Sequence, residues 1–138
     1  LARLERMRAQ MRVNFVVDTL EYLQRGGRIG GATAFLGTLL KVKPLLFIDN
    51  GRVEPLEKVR TKQKAVERML TLLEEQIDKS TPVWAGVAHL HSPTEAADLE
   101  AAIRARFNCQ RLLSGDCGPT IGTHAGPGVL GVAVCPME

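Results

Sequence analysis

Aromatic side chains are scarce in this sequence of 138 residues: one Trp, one Tyr and four Phe. Single-stranded nucleic acid is held largely by stacking its bases on such rings, so that binding mode is excluded and no nucleic-acid partner is expected. No stretch approaches the roughly 18 consecutive apolar residues of a membrane-spanning helix. Nor does a charged segment followed by a short apolar core open the chain as a secretory signal would, and a cytoplasmic protein is expected. Cysteine is limited to Cys109, Cys117 and Cys135, an odd number with no Cys-x-x-Cys spacing. A disulfide framework and a zinc ribbon are both excluded, and reduced thiols are expected.

A global excess of one charge is missing as well. The formal net charge is +3, which Arg3, Arg6, Arg8 and Arg12 against Glu5 already account for; the remaining 126 residues hold 14 basic and 14 acidic side chains. Residues 41–68 run to +4 and residues 69–103 are acidic in compensation. That is a polarised surface, not a polybasic tract. With 45% hydrophobic and 24% charged residues the composition is globular, and the length suits one domain that buries roughly two thirds of its unfolded surface.

Good helix formers without a breaker predict a helix over 2–12, followed by a short apolar patch over 13–17. Asp18 or Thr19 can cap a brief helix through Tyr22 that must stop at Gly26-Gly27. A further helix is expected over about 31–40, with Ala32, Phe35, Leu36, Leu39 and Leu40 on one face. The β-rich run 42–48, the turn Asp49-Asn50-Gly51 and the run 52–59 predict a hairpin. Thr61 caps the longest expected helix, in which Val66, Met69, Leu70, Leu73 and Ile77 follow helical spacing. A strand over 83–89 comes next, then Ser92-Pro93-Thr94-Glu95, which has the pattern of a capping box with Pro at the first helical position. Strands at 109–113 and 129–134, joined by a glycine-rich connection, complete an α/β fold with a mixed sheet covered by helices.

Eleven of the 13 glycines fall in two clusters, 26–37 and 115–131. Glycine lets backbone amides approach a ligand closely, so either cluster can cradle an anion. The first carries Arg28, whose planar fork suits a carboxylate or phosphate, although an Arg capping carbonyls or lying in solvent fits the same spacing. The second carries Thr123 and His124 among small neighbours that leave the imidazole accessible, although a His bonding a local turn fits equally. Gly26–Gly31 follows a helix instead of a strand and is not a dinucleotide loop. His89 and His91 lack third and fourth ligands at recognisable spacing, so no metal and no cofactor are expected.

Val17-Asp18-Thr19-Leu20-Glu21-Tyr22-Leu23 into Gly26-Gly27-Arg28-Ile29, then Leu39-Leu40, Lys43-Pro44, Gly51 and Lys58-Val59-Arg60-Thr61, and finally Gly118-Pro119, Ile121-Gly122-Thr123-His124 and Gly126-Pro127-Gly128 stand in one order. In these motifs the chain resembles the DegV family of bacterial fatty-acid-binding proteins. The family is built of two α/β domains, and 1–138 is similar only to the second, so an N-terminal domain is expected as partner. The absence of an initiator Met accords with a chain that starts partway through something longer.

The resemblance implies a non-enzymatic domain that forms half of an interdomain tunnel for one long-chain fatty acid. It also implies that the domain presents the carboxylate to a fatty acid kinase serving phospholipid synthesis, with transient contact at a membrane surface allowed. Carried over by motif, His124 with Thr123 and Arg28 takes the carboxylate, and Arg60 with Arg28 meets the kinase or its phosphate. Gly26, Gly27, Gly122, Gly126 and Gly128 form the glycine loops. Phe35, Leu36, Leu39 and Ile121 are the candidate acyl-chain wall. The departure from the family pattern is Ala125, where Thr is frequent. The competing reading is an anion-dependent phosphotransferase or hydrolase with His124 as base and Arg28 and Arg60 on phosphate.

Overall fold

A β-rich run on each side of Asn50-Gly51 can pair only if both turn residues take positive φ, and they do, at 49° and 78°. A computed structural model describes residues 1–37 and 42–137. This hairpin joins β2 (Lys43–Asp49) to β3 (Arg52–Val59). With β1 (Arg12–Val16), β4 (Pro82–His89), β5 (Asn108–Asp116) and β6 (Leu130–Pro136) they form one six-stranded mixed sheet in the order β3-β2-β1-β6-β4-β5. Only the β4–β5 pair is parallel. Pro55 sits in the edge strand β3, beside a register shift, where a missing N–H costs least.

Alternation along the strands sends Val16, Leu45, Val83, Val87, Leu130, Val132 and Val134 to one face. There α3 (Lys62–Gln76) and α4 (Pro93–Arg106) cover them with Met69, Leu70, Leu73, Leu99 and Ile103. Thr61 caps α3 as its sequence predicts, accepting the Lys64 amide at 3.1 Å. The opposite face is covered in part. A second cluster of Val17, Leu20, Leu23, Ala32, Leu46, Val53, Ala125 and Val129 lies under α2 (Glu21–Arg25), a 3-10 helix (Gly30–Phe35) and α5 (Pro119–Ala125). The helix α1 (Ala2–Gln10) buries no residue.

Three sequence expectations are corrected. The helix over 31–40 is a 3-10 helix that ends at Phe35, because Leu36 is extended and Gly37 takes φ +82°; residues 38–41, including Leu39 and Leu40, lie outside the described residues. Ser92 does stand at the N-cap of α4 with Pro93 after it, but its hydroxyl makes no capping bond. The glycine-rich connection contains α5, started by Pro119 and tolerating Gly122 in its interior.

Arg106 of α4 grips Glu67 of α3 through two bonds of 3.0 and 2.7 Å. The hydrogen bond from Arg106, followed by its charge, holds the Glu67 carboxyl below the ordinary range against an opposing desolvation effect. A carboxyl depressed in the folded state stabilises above its unfolded pKa, and that stabilisation is lost as pH falls through the folded value. Glu67→Gln should therefore flatten the acid limb of a plot of Tm against pH while leaving its neutral limb nearly parallel to wild type. An acid limb of unchanged slope would count against the pair.

Candidate carboxylate-binding site

The short helix α2 packs against α5, and this pairing brings the two glycine clusters together. Gly26 has φ −79°, which any residue can adopt, so its glycine is not needed for the turn. It is needed for space, since a Cβ there would collide with Nδ1 of His124. Two residues past His124, Gly126 closes α5 at φ +85° with its Cα against the Tyr22 ring. Gly128, at φ +92°, has the Asp18 carboxylate where a Cβ would point. Gly122 rests on Leu90. Gly27 takes φ +61° with open space around it.

His124 is half-buried, and its Nδ1 is fully buried without a hydrogen-bond partner among the described residues. An unsatisfied buried polar atom costs about 1–3 kcal/mol, a cost that any polar group brought to this nitrogen would relieve. No Ser, Cys, Asp or Glu side chain hydrogen-bonds His124 among the described residues. A nucleophile paired with this imidazole is thus not seen among the described residues. The thiols agree with this. Burial, with a smaller effect from Asp116, pushes Cys117 up, and burial alone pushes Cys135 up, away from the reactive thiolate.

The other expected site residues divide. Thr123 is exposed and donates its hydroxyl proton to the Pro119 carbonyl at 2.7 Å, within its own helix. Arg28 and Arg60 are exposed, and neither guanidinium has a hydrogen bond or ion pair among the described residues. Arg60 lines a groove of about 400 Å3 with Lys58, Lys64 and Arg68, and with Glu57 and Glu67, of which Glu57 pairs with Arg68 at 2.6 Å. Phe35 is half-buried against the second core cluster, with Lys58 Nζ 5.3 Å from its ring centre. Leu36 and Ile121 are 41% and 55% exposed. His89 and His91 do not share a strand face: His91 lies past the end of β4 at φ +58°, and His89 is held by Asp116 at 3.2 Å.

Sequence reasoning missed two features. The first is a set of ion pairs centred on Asp18, whose Oδ1 receives Lys43 at 3.0 Å and Lys62 at 3.3 Å. Asp18 and Lys43 stand inside the quoted motifs, and their joint occurrence was the available signal. The second is an apolar groove of about 390 Å3 on the uncovered part of the sheet, over Val13, Gly86, Ala88, Leu113, Gly131 and Ala133. Trp84 and Leu113 on that sheet are 38% and 61% exposed. Small residues at alternate positions of neighbouring strands, Gly86 and Ala88 beside Ala133 and Gly131, hollow the surface, a pattern visible in sequence only once the register is known. Asp116, three residues before α5 begins, is among the groove's lining residues.

Comparison with known proteins accords with this geometry. The model of the DegV family, described as uncharacterised proteins, matches residues 1–137. The chain belongs to the DegV family. It is 42% identical over 135 residues to protein DegV of Bacillus subtilis, covering 98% of this chain and 48% of that one. Among solved structures, it is similar to a DegV family protein from Thermus thermophilus described for its fatty acid binding. Their TM-score is 0.92 with 36% identity, over 99% of this chain and 49% of that one. It is also similar to the structure of Bacillus subtilis DegV, described as a fatty acid binding protein, with TM-score 0.81, 42% identity and coverage of 99% and 48%. This DegV chain thus spans about half the length of the relatives it matches, and its mixed α/β sheet is theirs. Among the described residues, no helix is long and apolar enough to cross a membrane.

Proposed function

We propose that this DegV chain is the second half of a two-domain, non-enzymatic carrier that binds one long-chain fatty acid, with His124 as a ligand of its carboxylate. The observation that carries the reading is the buried, unpartnered Nδ1 of His124, seated against Gly26. Protonated at Nδ1, the imidazole donates to a carboxylate oxygen in a site where low dielectric strengthens the bond. Arg28 supplies positive charge on the neighbouring loop, and Thr123 at the same helix end would donate to the carboxylate only by giving up its bond to the Pro119 carbonyl. The fatty acid binding of the relatives from Thermus thermophilus and Bacillus subtilis supports the choice of ligand.

The acyl chain is assigned to the apolar groove in preference to Phe35, Leu36 and Ile121. Phe35 is engaged in core packing and Ile121 faces outward, whereas the groove is apolar and leads toward α5. About 14 methylenes contribute roughly 11 kcal/mol when buried all round at about 0.8 kcal/mol each. One wall removes water from only one side, which leaves roughly half of that against an association cost of about 4–15 kcal/mol. A second wall is therefore required, and the half of the relatives' length that lies outside this chain is its proposed source. Arg60, with Lys58, Lys64 and Arg68 around one groove, is proposed as the docking face for a kinase that phosphorylates the presented carboxylate in phospholipid synthesis.

The reading is tested with palmitate in the full-length protein. Extraction followed by mass spectrometry should release one acyl chain per protein, and His124→Ala should weaken palmitate by about tenfold, the cost of one hydrogen bond to a charged group. Recovery of only phosphate or nucleotide would overturn it, as would an unchanged affinity in His124→Ala. Arg60→Ala should leave palmitate binding intact while impairing phosphorylation by the kinase.

A further inference from the structure

The N-cap of α4 breaks a local rule. A Ser followed by Pro at the first helical position ordinarily turns its hydroxyl onto the helix amides, which Ser92 does not do. Its amide instead bonds His89 Nδ1 at 3.2 Å, and its hydroxyl receives Lys62 Nζ at 2.7 Å and reaches the Gly128 carbonyl at 3.4 Å. Ser92 is only 1% exposed. Lys62, whose side chain is 15% exposed, also reaches Asp18, and Asp18 in turn occupies the space beside the Gly128 Cα. A buried hydroxyl diverted from capping its own helix marks a constraint imposed from elsewhere in the fold.

That constraint converges on one residue. Gly128 is held by its amide on the Leu90 carbonyl at 2.7 Å, by its own carbonyl on Ser92 and by its Cα face on Asp18. The loop it anchors runs back through Pro127 and Gly126 to His124 at the end of α5. The anchoring groups come from separate parts of the chain: Asp18 after β1, Lys62 at the start of α3 and Ser92 before α4. None of them bonds His124.

We propose that Ser92, Lys62 and Asp18 are positioning residues for carboxylate recognition: they lock the Gly126–Gly128 loop and so fix where the His124 imidazole points. This rests on the reading of His124 as the carboxylate ligand. The Ser92 side chain and its bond to the Gly128 carbonyl are buried, the bonds of Ser92 to Lys62 and His89 are partly buried and the lysine is mostly shielded, so the lock is weakly screened by salt. A lost lock leaves the acyl chain's groove untouched, since Ser92, Lys62 and Asp18 do not line it.

The experiment compares palmitate with hexadecanol, which keeps the chain and lacks the carboxylate, in the full-length protein. Ser92→Ala and the more exposed Lys62→Met should each weaken palmitate by about tenfold, the lower end of what outer partners of a ligand residue contribute, and leave hexadecanol unchanged. In a His124→Ala background neither should cause further loss. Equal weakening of both ligands, or additive losses with His124→Ala, would overturn the proposal. A ligand-free measurement separates it from the reading on which it rests: Ser92→Ala should shift the imidazole NMR resonances of His124 and leave those of exposed His91 in place. Unmoved His124 resonances defeat the lock, whereas wild-type palmitate affinity in His124→Ala defeats the carboxylate assignment itself.

Discussion

Gly26→Ala should weaken fatty-acid binding by about tenfold or more without unfolding the protein. The backbone at Gly26 has φ −79° and ψ −2°, a conformation open to alanine. Placing Ala there even restricts the unfolded chain, which commonly stabilises by about 0.4–1 kcal/mol. The new methyl meets Nδ1 and Cε1 of His124 most closely, with the Tyr22 carbonyl oxygen 3.3 Å away as a milder contact. A side-chain end yields more readily than backbone, so the imidazole swings away and its Nδ1 leaves the position proposed for the carboxylate. A hydrogen bond to a charged group contributes about 1.5–3 kcal/mol, which sets the scale of the loss at roughly ten- to a hundredfold. Titration calorimetry with palmitate and a thermal melt of the same full-length variant check it. A binding constant that stays at the wild-type value with Tm maintained would remove His124 from the carboxylate site.

Gly128→Ala should act mainly on stability, lowering it by about 3 kcal/mol. Its φ of +92° is strained for any residue with a Cβ, at about 1–2 kcal/mol. The methyl would also meet the Asp18 carboxylate, which is tied to Lys43 and Lys62 and cannot retreat without breaking those pairs. In a chain of this length such a loss corresponds to a Tm lower by roughly 10 °C. Gly27→Ala is the matched control. It too has positive φ, at +61°, but nothing lies within 4 Å of the added carbon. Only the conformational strain of about 1 kcal/mol should be seen there. Equal shifts for the two variants would show that backbone conformation alone, and not the packing on Asp18, governs the Gly128 position.

The contrast among these glycines bears on how far a sequence can be read. Clustering alone marked Gly26, Gly27, Gly126 and Gly128 as a candidate site, and the packing of α2 against α5 brings the two clusters together around His124. It could not distinguish their roles, because Gly26 is required for space, Gly27 for a positive φ, and Gly126 and Gly128 for both. Those requirements depend on which side chain arrives from the other cluster, and the sequence separation between Gly26 and His124 carries no such information. Ser92 shows the same limit from the other direction. Its local pattern predicts a capping hydroxyl, and a lysine thirty residues earlier takes that hydroxyl instead. The surface proposed for the acyl chain shows the limit again: Phe35 and Leu36 sit at helical spacing, yet the helix ends at Phe35, and the proposed groove forms from small residues that only the strand register brings together.

Sequence by itself determined the elements whose signals are local. The Asn50-Gly51 hairpin, the Thr61-capped helix and the β-rich runs follow from positive φ, capping and side-chain alternation, each complete within a few residues. It also determined the family, through motifs kept in one order, and the location of the surplus charge in the first 12 residues. Tertiary structure alone decided that Asp18, Lys43, Lys62, Ser92 and Gly128 meet in one place, that His124 Nδ1 is buried without a partner, and that one sheet face stays partly bare. The physical reason is common to all three. Each depends on strand order and on the packing of α2 against α5, which bring together residues whose separation along the chain is far greater than the reach of any local rule.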